Sequence, residues 1–186
     1  IMDATQSGRL SGTEVSVVVS NHKAAYGLVR AEKHGIPTIY NPFLPYRKEG
    51  LSREKYDADL ADKLDAYPVD LVVLAGWMHI FTMAFLDRYH RVLNIHPALP
   101  GMYPGMHAIE EAYEAYQKGE IEETGVMIHW APDEAVDSGP VVMTERVPIL
   151  EGDTLDTLEA RVHATEHELY VKAIDHVLKN NLYPPR

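Results

Sequence analysis

The feature that most restricts the possible folds of this chain is an unbroken run of apolar residues in its middle, at residues 71–75. A strand with one face in water alternates apolar and polar residues, whereas a parallel strand covered on both faces is apolar throughout. The run is strand-length and far shorter than the roughly 18 residues that span a membrane. We therefore expect residues 70–75 to form a buried strand of a mainly parallel sheet.

Helical patterns separate this strand from other strand-like runs, an order typical of an α/β fold. The predicted strands are residues 15–20, 38–40, 70–75, 92–95, 125–130 and 141–147, and the predicted helices are 24–34, 52–67, 82–89, 107–118 and 153–180. Ser52 and Asp153 are the expected N-caps of their helices. Pro42 and Pro45 indicate a loop. The last two strands form a late hairpin, and the length favours a single domain over residues 1–186.

The charge balance and the absence of cysteine exclude several classes of protein. The chain of 186 residues has 17 Lys+Arg against 28 Asp+Glu, a net charge of −11 that disfavours nucleic-acid partners. Zero cysteines exclude disulfides, thiolate zinc sites and a cysteine nucleophile. Neither a membrane span nor a signal peptide is recognisable. We expect a cytoplasmic protein without membrane partners.

The densest candidate for chemistry is the end of the strand at residues 92–95, where Asn94 and His96 lie on the same side of the chain. An Asn amide can donate a hydrogen bond to a developing oxyanion, and an imidazole can transfer a proton near neutral pH. Pro97 restrains the backbone that follows. The alternative is that both side chains only satisfy hydrogen bonds of a turn.

The acidic loop at residues 132–140 could bring a carboxylate, Asp137, to His96, orienting the ring and raising the pKa of the imidazole. The alternative is a solvated turn. Residues 163–167 match H-x-x-E-H, which on a helix could hold zinc, but the pattern is short and we expect no metal. Residues 75–81 could wall a pocket for a flat ligand or be ordinary core.

Four segments, in order along the chain, resemble the folate-dependent formyltransferases. They are LAGWM at residues 74–78, LNIHPALP at 93–100, YPG at 103–105 and VDSGP at 136–140. The match continues through residues 20–21 and 165–170, so it covers nearly the whole chain. The resemblance implies a Rossmann-like formyltransferase fold, with a mainly parallel sheet flanked by helices.

The same resemblance implies transfer of a formyl group from 10-formyltetrahydrofolate to the amine of 5-phosphoribosylglycinamide. Asn94, His96 and Asp137 match the catalytic residues, in which Asn94 and the protonated His96 stabilise the oxyanion and Asp137 keeps His96 charged. The implied folate-binding residues are Arg53, Met78, His79, Ile80 and Phe81, together with Asn94 and Asp137. The implied substrate-binding residues are Gly76, Pro97 and Glu166, so the Glu of H-x-x-E-H becomes a substrate ligand.

The chain departs from the family pattern at several positions. His79 stands where the family usually has Arg, Ser138 stands where it usually has Gly, and Pro100 is displaced by one position. The family begins with a strand and a turn that binds the substrate phosphate at a helix N-terminus. Here residues 1–5 resemble the first helix, so we expect that first strand and turn to be missing from the sequence.

Two other functions are compatible with parts of the pattern. Another folate-dependent formyltransferase would act on an aminoacyl-tRNA or a nucleotide-sugar amine, but the tRNA enzymes carry a further C-terminal domain and the −11 charge disfavours tRNA. A folate-binding domain without catalysis would not need Asn94, His96 and Asp137 together. The sequence defines no oligomeric state.

Overall fold

The protein is described by a computed structural model that covers residues 1–184. Helices and strands alternate along the chain. In order they are α1 (Met2–Gln6), β1 (Val18–Ser20), α2 (Tyr26–Lys33), β2 (Thr38–Tyr40), α3 (Leu44–Lys48), α4 (Arg53–Leu64), β3 (Val72–Val73), α5 (Met83–Leu86), β4 (Val92–His96), α6 (Ala108–Gln117), β5 (Glu123–Trp130), β6 (Val141–Pro148) and α7 (Leu155–Lys179).

The chain forms two compact units. The N-terminal unit comprises residues 2–72 and 81–90, and the C-terminal unit comprises residues 73–80 and 91–184, with Ile1. A single domain over residues 1–186 stays a prediction, and its residues 185–186 lie outside the described part of the chain.

The N-terminal unit is built on a parallel pair of strands, β1 and β2, in which Val18 pairs with Thr38. Helix α4 begins where predicted, because the Ser52 hydroxyl accepts a hydrogen bond from the Lys55 amide at 3.2 Å. Tyr56, fully buried on α4, belongs to the core of this unit.

The C-terminal unit contains the late hairpin that the sequence predicts. The four-stranded sheet has the order β3-β4-β5-β6, and both β4–β5 and β5–β6 are antiparallel. The long helix α7 buries one apolar stripe that includes Leu158, Val162 and Ile174. The α/β class, the flanking helices and the hairpin expected from the sequence are confirmed, with parallel pairing between β1 and β2.

Three local expectations were wrong. Residues 71–74 are half-buried rather than buried, and only Val72–Val73 is a strand, because β3 is an edge strand of its sheet. The expected loop around Pro45 contains helix α3, since proline is tolerated in the first turn of a helix. Thr154, not Asp153, caps α7 by accepting from the Thr157 amide.

Within residues 1–184, every helix is too short or too polar to cross a membrane.

Candidate active site

Strand β4 ends on the two polar side chains singled out in the sequence, Asn94 and His96. Because side chains alternate along a strand, both lie on the same side. The His96 ring is only 2% exposed, and Asn94 is half-buried. Pro97 follows at once, so the strand ends directly beyond the histidine.

The Asp137 carboxylate, in the loop between β5 and β6, contacts both of these side chains. Its Oδ1 accepts a hydrogen bond from Nδ2 of Asn94 at 3.2 Å, and its Oδ2 lies 3.3 Å from Nδ1 of His96. Oδ2 also accepts from the backbone N–H of Gly105 at 2.9 Å. Three segments that are distant in sequence therefore meet at one carboxylate.

These contacts keep Asp137 ionised. Burial raises the pKa of the carboxyl, but the hydrogen bond from the Gly105 amide and the nearby His96 outweigh burial and leave the pKa below its ordinary value. An ionised carboxylate that is 10% exposed stabilises positive charge on an adjacent imidazole.

The backbone at this site is unusual at two non-glycine residues. Asp137 has φ +48° and Tyr103 has φ +47°, both in the left-handed region that side chains other than Gly, Asn and Asp rarely adopt. Such residues cost of order 1–3 kcal/mol and persist only where surrounding contacts hold them. At Asp137, the three contacts to its carboxylate supply that support.

A backbone carbonyl fixes the orientation of the His96 ring. Nε2 of His96 lies 3.0 Å from the Met102 carbonyl oxygen, which can only accept a hydrogen bond, so Nε2 carries a proton. Nδ1 is consequently the nitrogen that faces the Asp137 carboxylate. A proton on Nδ1 would be stabilised by Asp137, which makes Nδ1 the atom suited to proton transfer.

The segment that follows β3 presents apolar side chains in the C-terminal unit. Met78 is 62% exposed and Ile80 is 52% exposed, and Gly76 has φ +71°. His79 is half-buried, with its ring 5.7 Å from the Trp77 ring in an edge-on arrangement. Exposed apolar side chains next to a turn are suited to contact with a ligand.

The other two predicted folate residues lie in the N-terminal unit. Phe81 is 6% exposed, and its ring stacks on Phe85 at 3.9 Å, so its side chain is core. Nε of Arg53 donates to the fully buried carboxylate of Asp57 at 2.9 Å. The Arg53 guanidinium also lies 5.0 Å from the centre of the Tyr56 ring.

Glu166 lies on α7, and its carboxylate is 2.6 Å from Nδ1 of His163. His163 and His167 are exposed on the same helix. Among residues 1–184, no group of three or more His, Cys, Asp or Glu side chains could hold a metal ion.

Tyr170, one turn beyond Glu166, fixes α7 against the strands. Its buried hydroxyl is 2.8 Å from the Leu93 carbonyl oxygen and 2.9 Å from that of Leu74. Leu93 directly precedes Asn94, and Leu74 precedes the exposed segment at residues 75–80. This hydroxyl therefore sets the position of the helix relative to both.

Sequence reasoning missed His129, a buried histidine on β5 that pairs directly with Asn94 across the sheet. Its Nε2 lies 3.2 Å from Nδ2 of Asn94 and 3.6 Å from Oδ1 of Asp137. The available signal was a lone titratable side chain in the otherwise apolar run at residues 126–130. Its neighbours depend on strand register, which the sequence did not reveal.

Comparison with known proteins identifies relatives along nearly the whole chain. The profile of a family described as formyl transferase matches residues 1–174. A phosphoribosylglycinamide formyltransferase from Schizosaccharomyces pombe is 47% identical, with 97% of this chain and 91% of the relative aligned. The protein of the same name from Escherichia coli is 42% identical over 91% of this chain and 76% of the relative.

Solved structures give the same result for the fold. The crystal structure of phosphoribosylglycinamide formyltransferase from Bacillus halodurans superposes with a TM-score of 0.87 at 34% identity, covering 98% of this chain and 90% of that protein. The resemblance drawn from the four sequence segments is thereby confirmed.

Proposed function

This chain belongs to the formyl transferase family, and from that membership we propose that it acts as a phosphoribosylglycinamide formyltransferase of purine biosynthesis. It transfers a formyl group from 10-formyltetrahydrofolate to the amine of 5-phosphoribosylglycinamide. The observation that carries the proposal is the contact of one ionised carboxylate, Asp137, with both Asn94 and His96. An oxyanion stabiliser and a proton donor thus lie side by side.

The reaction forms one bond, breaks one bond and moves, in total, one proton from the amine to the folate nitrogen. The substrate amine attacks the formyl carbon, forming a C–N bond and placing negative charge on the formyl oxygen. An N–H of Asn94 and the protonated His96 stabilise this oxyanion. The intermediate collapses with cleavage of the bond from the formyl carbon to the folate nitrogen.

His96 transfers the proton through Nδ1, since Nε2 donates to the Met102 carbonyl, and before transfer that proton lies between Nδ1 and Oδ2 of Asp137. It protonates the departing folate nitrogen, and the attacking amine then returns one proton to His96, so the imidazolium is restored and charge balances. Asp137 stabilises the imidazolium before and after this exchange, which its lowered pKa supports because the carboxylate stays ionised at neutral pH.

For the folate we propose contacts from Met78, His79 and Ile80, whose side chains are exposed or half-buried beside Gly76. Phe81 would contribute through its backbone, since its ring is core.

Arg53 is proposed to bind a carboxylate of the folate tail. Its buried Nη2 has no hydrogen-bond partner among the described residues, which supports an anionic ligand.

Glu166, Gly76 and Pro97 are proposed to contact the glycinamide substrate. The cytoplasmic location and the absence of nucleic-acid, membrane and metal partners stay predictions from the sequence.

The direct test is an assay of the purified protein with 10-formyltetrahydrofolate and a panel of amine acceptors. We expect the highest kcat/KM with 5-phosphoribosylglycinamide. A higher value with aminoacyl-tRNA or a nucleotide-sugar amine would replace the proposed acceptor, and folate binding without transfer to any amine would leave only a binding domain.

A further inference from the structure

His129 is a buried polar side chain that the proposed reaction leaves without a role, although it lies beside Asn94 and Asp137, two residues that the reaction uses. It is 1% exposed on β5 and forms the direct cross-strand pair of Asn94. A histidine enclosed in an apolar strand is costly unless its nitrogens are satisfied. Both nitrogens here have partners, and those partners define its protonation.

The Nδ1 atom of His129 lies 2.8 Å from the carbonyl oxygen of Trp130. A carbonyl only accepts, so Nδ1 carries a proton, and the neutral ring then has a lone pair on Nε2. Nε2 lies 3.2 Å from Nδ2 of Asn94, which donates to it. A second proton, on Nε2, would place an N–H of His129 against an N–H of Asn94, and neither donor would have an acceptor in that contact.

The same contacts fix which way the Asn94 amide faces. One N–H points to His129 and the other to Oδ1 of Asp137, each at 3.2 Å. The reversed amide would place its oxygen against the Asp137 carboxylate and the Nε2 lone pair, and both contacts would be repulsive. The neutral His129 ring therefore selects one of the two amide orientations.

We propose that His129 is a positioning residue for formyl transfer, which anchors one N–H of Asn94 so that the other N–H is directed at the oxyanion. In this structure the directed N–H is shared with Asp137. The inference rests on the proposed function, because the oxyanion belongs to that reaction. An unanchored amide would rotate between donor and acceptor orientations and stabilise the oxyanion less.

Three variants separate positioning from a purely structural role. His129→Met keeps a side chain of similar size without a ring nitrogen, and His129→Gln restores an acceptor on a side chain that does not titrate. Thr124→Val is the matched control, because Thr124 is 1% exposed on the same strand. Steady-state kcat and KM for both substrates are measured, together with Tm.

We expect His129→Met to lower kcat by about 10- to 100-fold with both KM values changed less than about threefold, since losing one oxyanion donor costs roughly 100- to 1,000-fold. His129→Gln should recover most of that loss, and Thr124→Val should keep kcat. Equal losses in the Met and Gln variants, or an unchanged kcat in His129→Met, would overturn the proposal.

A second readout does not depend on turnover. The two side-chain amide protons of Asn94, assigned by their loss in Asn94→Asp, should give distinct NMR signals that shift in His129→Met but not in Thr124→Val. Unshifted signals in His129→Met would refute the anchoring. Absence of formyl transfer by the wild-type protein would instead refute the proposed function, and the NMR comparison would still test the anchor.

Discussion

Nδ1 of His96 lies 3.3 Å from Oδ2 of Asp137, an ion-pair distance between side chains that are 2% and 10% exposed. The contact joins the end of β4 to the loop between β5 and β6. Its partners come from distant parts of the sequence, so it forms only when the antiparallel sheet is complete. The pair therefore links the chemistry of the site to the fold.

Removing the imidazole should abolish most of the activity without unfolding the protein. We expect His96→Ala to lower kcat by about 100- to 10,000-fold, the range typical of a lost general acid. Steady-state kinetics measures this, with circular dichroism as the check on folding. His90→Ala is the control, because His90 is exposed. A well-folded His96→Ala protein with full activity would contradict the mechanism.

The lowered pKa of Asp137 predicts a pH dependence of stability. A carboxyl whose pKa is below its ordinary 3.8 in the folded state stabilises that state above pH 3.8, and the contribution is lost as the pH falls through the lowered pKa. Denaturant unfolding of Asp137→Asn should therefore give a flatter dependence of the free energy of unfolding between about pH 5 and pH 2. The exposed Asp87→Asn should keep the wild-type slope, and identical slopes in all three proteins would exclude this contribution.

Gly139 should not tolerate a side chain. A Cβ atom there would lie 1.8 Å from the Trp130 carbonyl oxygen, so the loop carrying Asp137 would have to move. We expect Gly139→Ala to destabilise the fold by about 1–3 kcal/mol, and to lower kcat at least about tenfold because Asp137 is displaced. Gly27→Ala is the comparison, since a Cβ there meets nothing within 4 Å and α2 gains about 0.5–1 kcal/mol of helix propensity. Equal Tm values for both variants would show that the loop adjusts freely.

Removing the Tyr170 hydroxyl should lower the free energy of unfolding. Tyr170→Phe keeps the ring and removes the buried donor to the Leu93 and Leu74 carbonyls, so we expect a loss of about 1–2 kcal/mol in the free energy of unfolding. Tyr183→Phe is the control, because Tyr183 is 59% exposed and should change stability by less than about 0.5 kcal/mol. Chemical denaturation of the two variants under the same conditions measures both free energies of unfolding.

Removing the buried carboxylate of Asp57 should destabilise the N-terminal unit. Its carboxylate accepts from both the backbone N–H and the hydroxyl of Thr82 and pairs with Arg53. Asp57→Ala leaves these donors without their acceptor, which should cost about 3 kcal/mol in the free energy of unfolding. The exposed Asp87→Ala should cost far less, and a Tm for Asp57→Ala equal to that of wild type would contradict the expectation.

Much of the fold and of the candidate site could be predicted from the sequence, because the signals that predict them are local. Alternation placed Asn94 and His96 on one side of a strand, and turn residues placed Asp137 in the loop that reaches them. The apolar stripe of α7 and the N-cap at Ser52 were read from helical spacing and hydroxyl chemistry. The motifs also identified the family and the enzyme class, both confirmed by the relatives.

What could not be predicted depended on contacts between distant segments. The pairing of His129 with Asn94 follows from strand register, and the bond from His96 to the Met102 carbonyl follows from the path of a loop. From its position in the sequence, Asp153 is the expected N-cap of α7. In the structure its carboxylate instead binds the Arg161 guanidinium through two hydrogen bonds, at 2.6 and 2.8 Å.

The register of β4 against β5 has a practical consequence. A slip of one residue would turn Asn94 and His129 to opposite faces and separate them, while leaving most backbone pairing available. Molecules with slipped strands would still be rich in secondary structure but inactive in a formyl transfer assay. Specific activity per mole of protein, compared with circular dichroism after refolding, would therefore count the fraction of molecules in which these two strands have found their correct alignment.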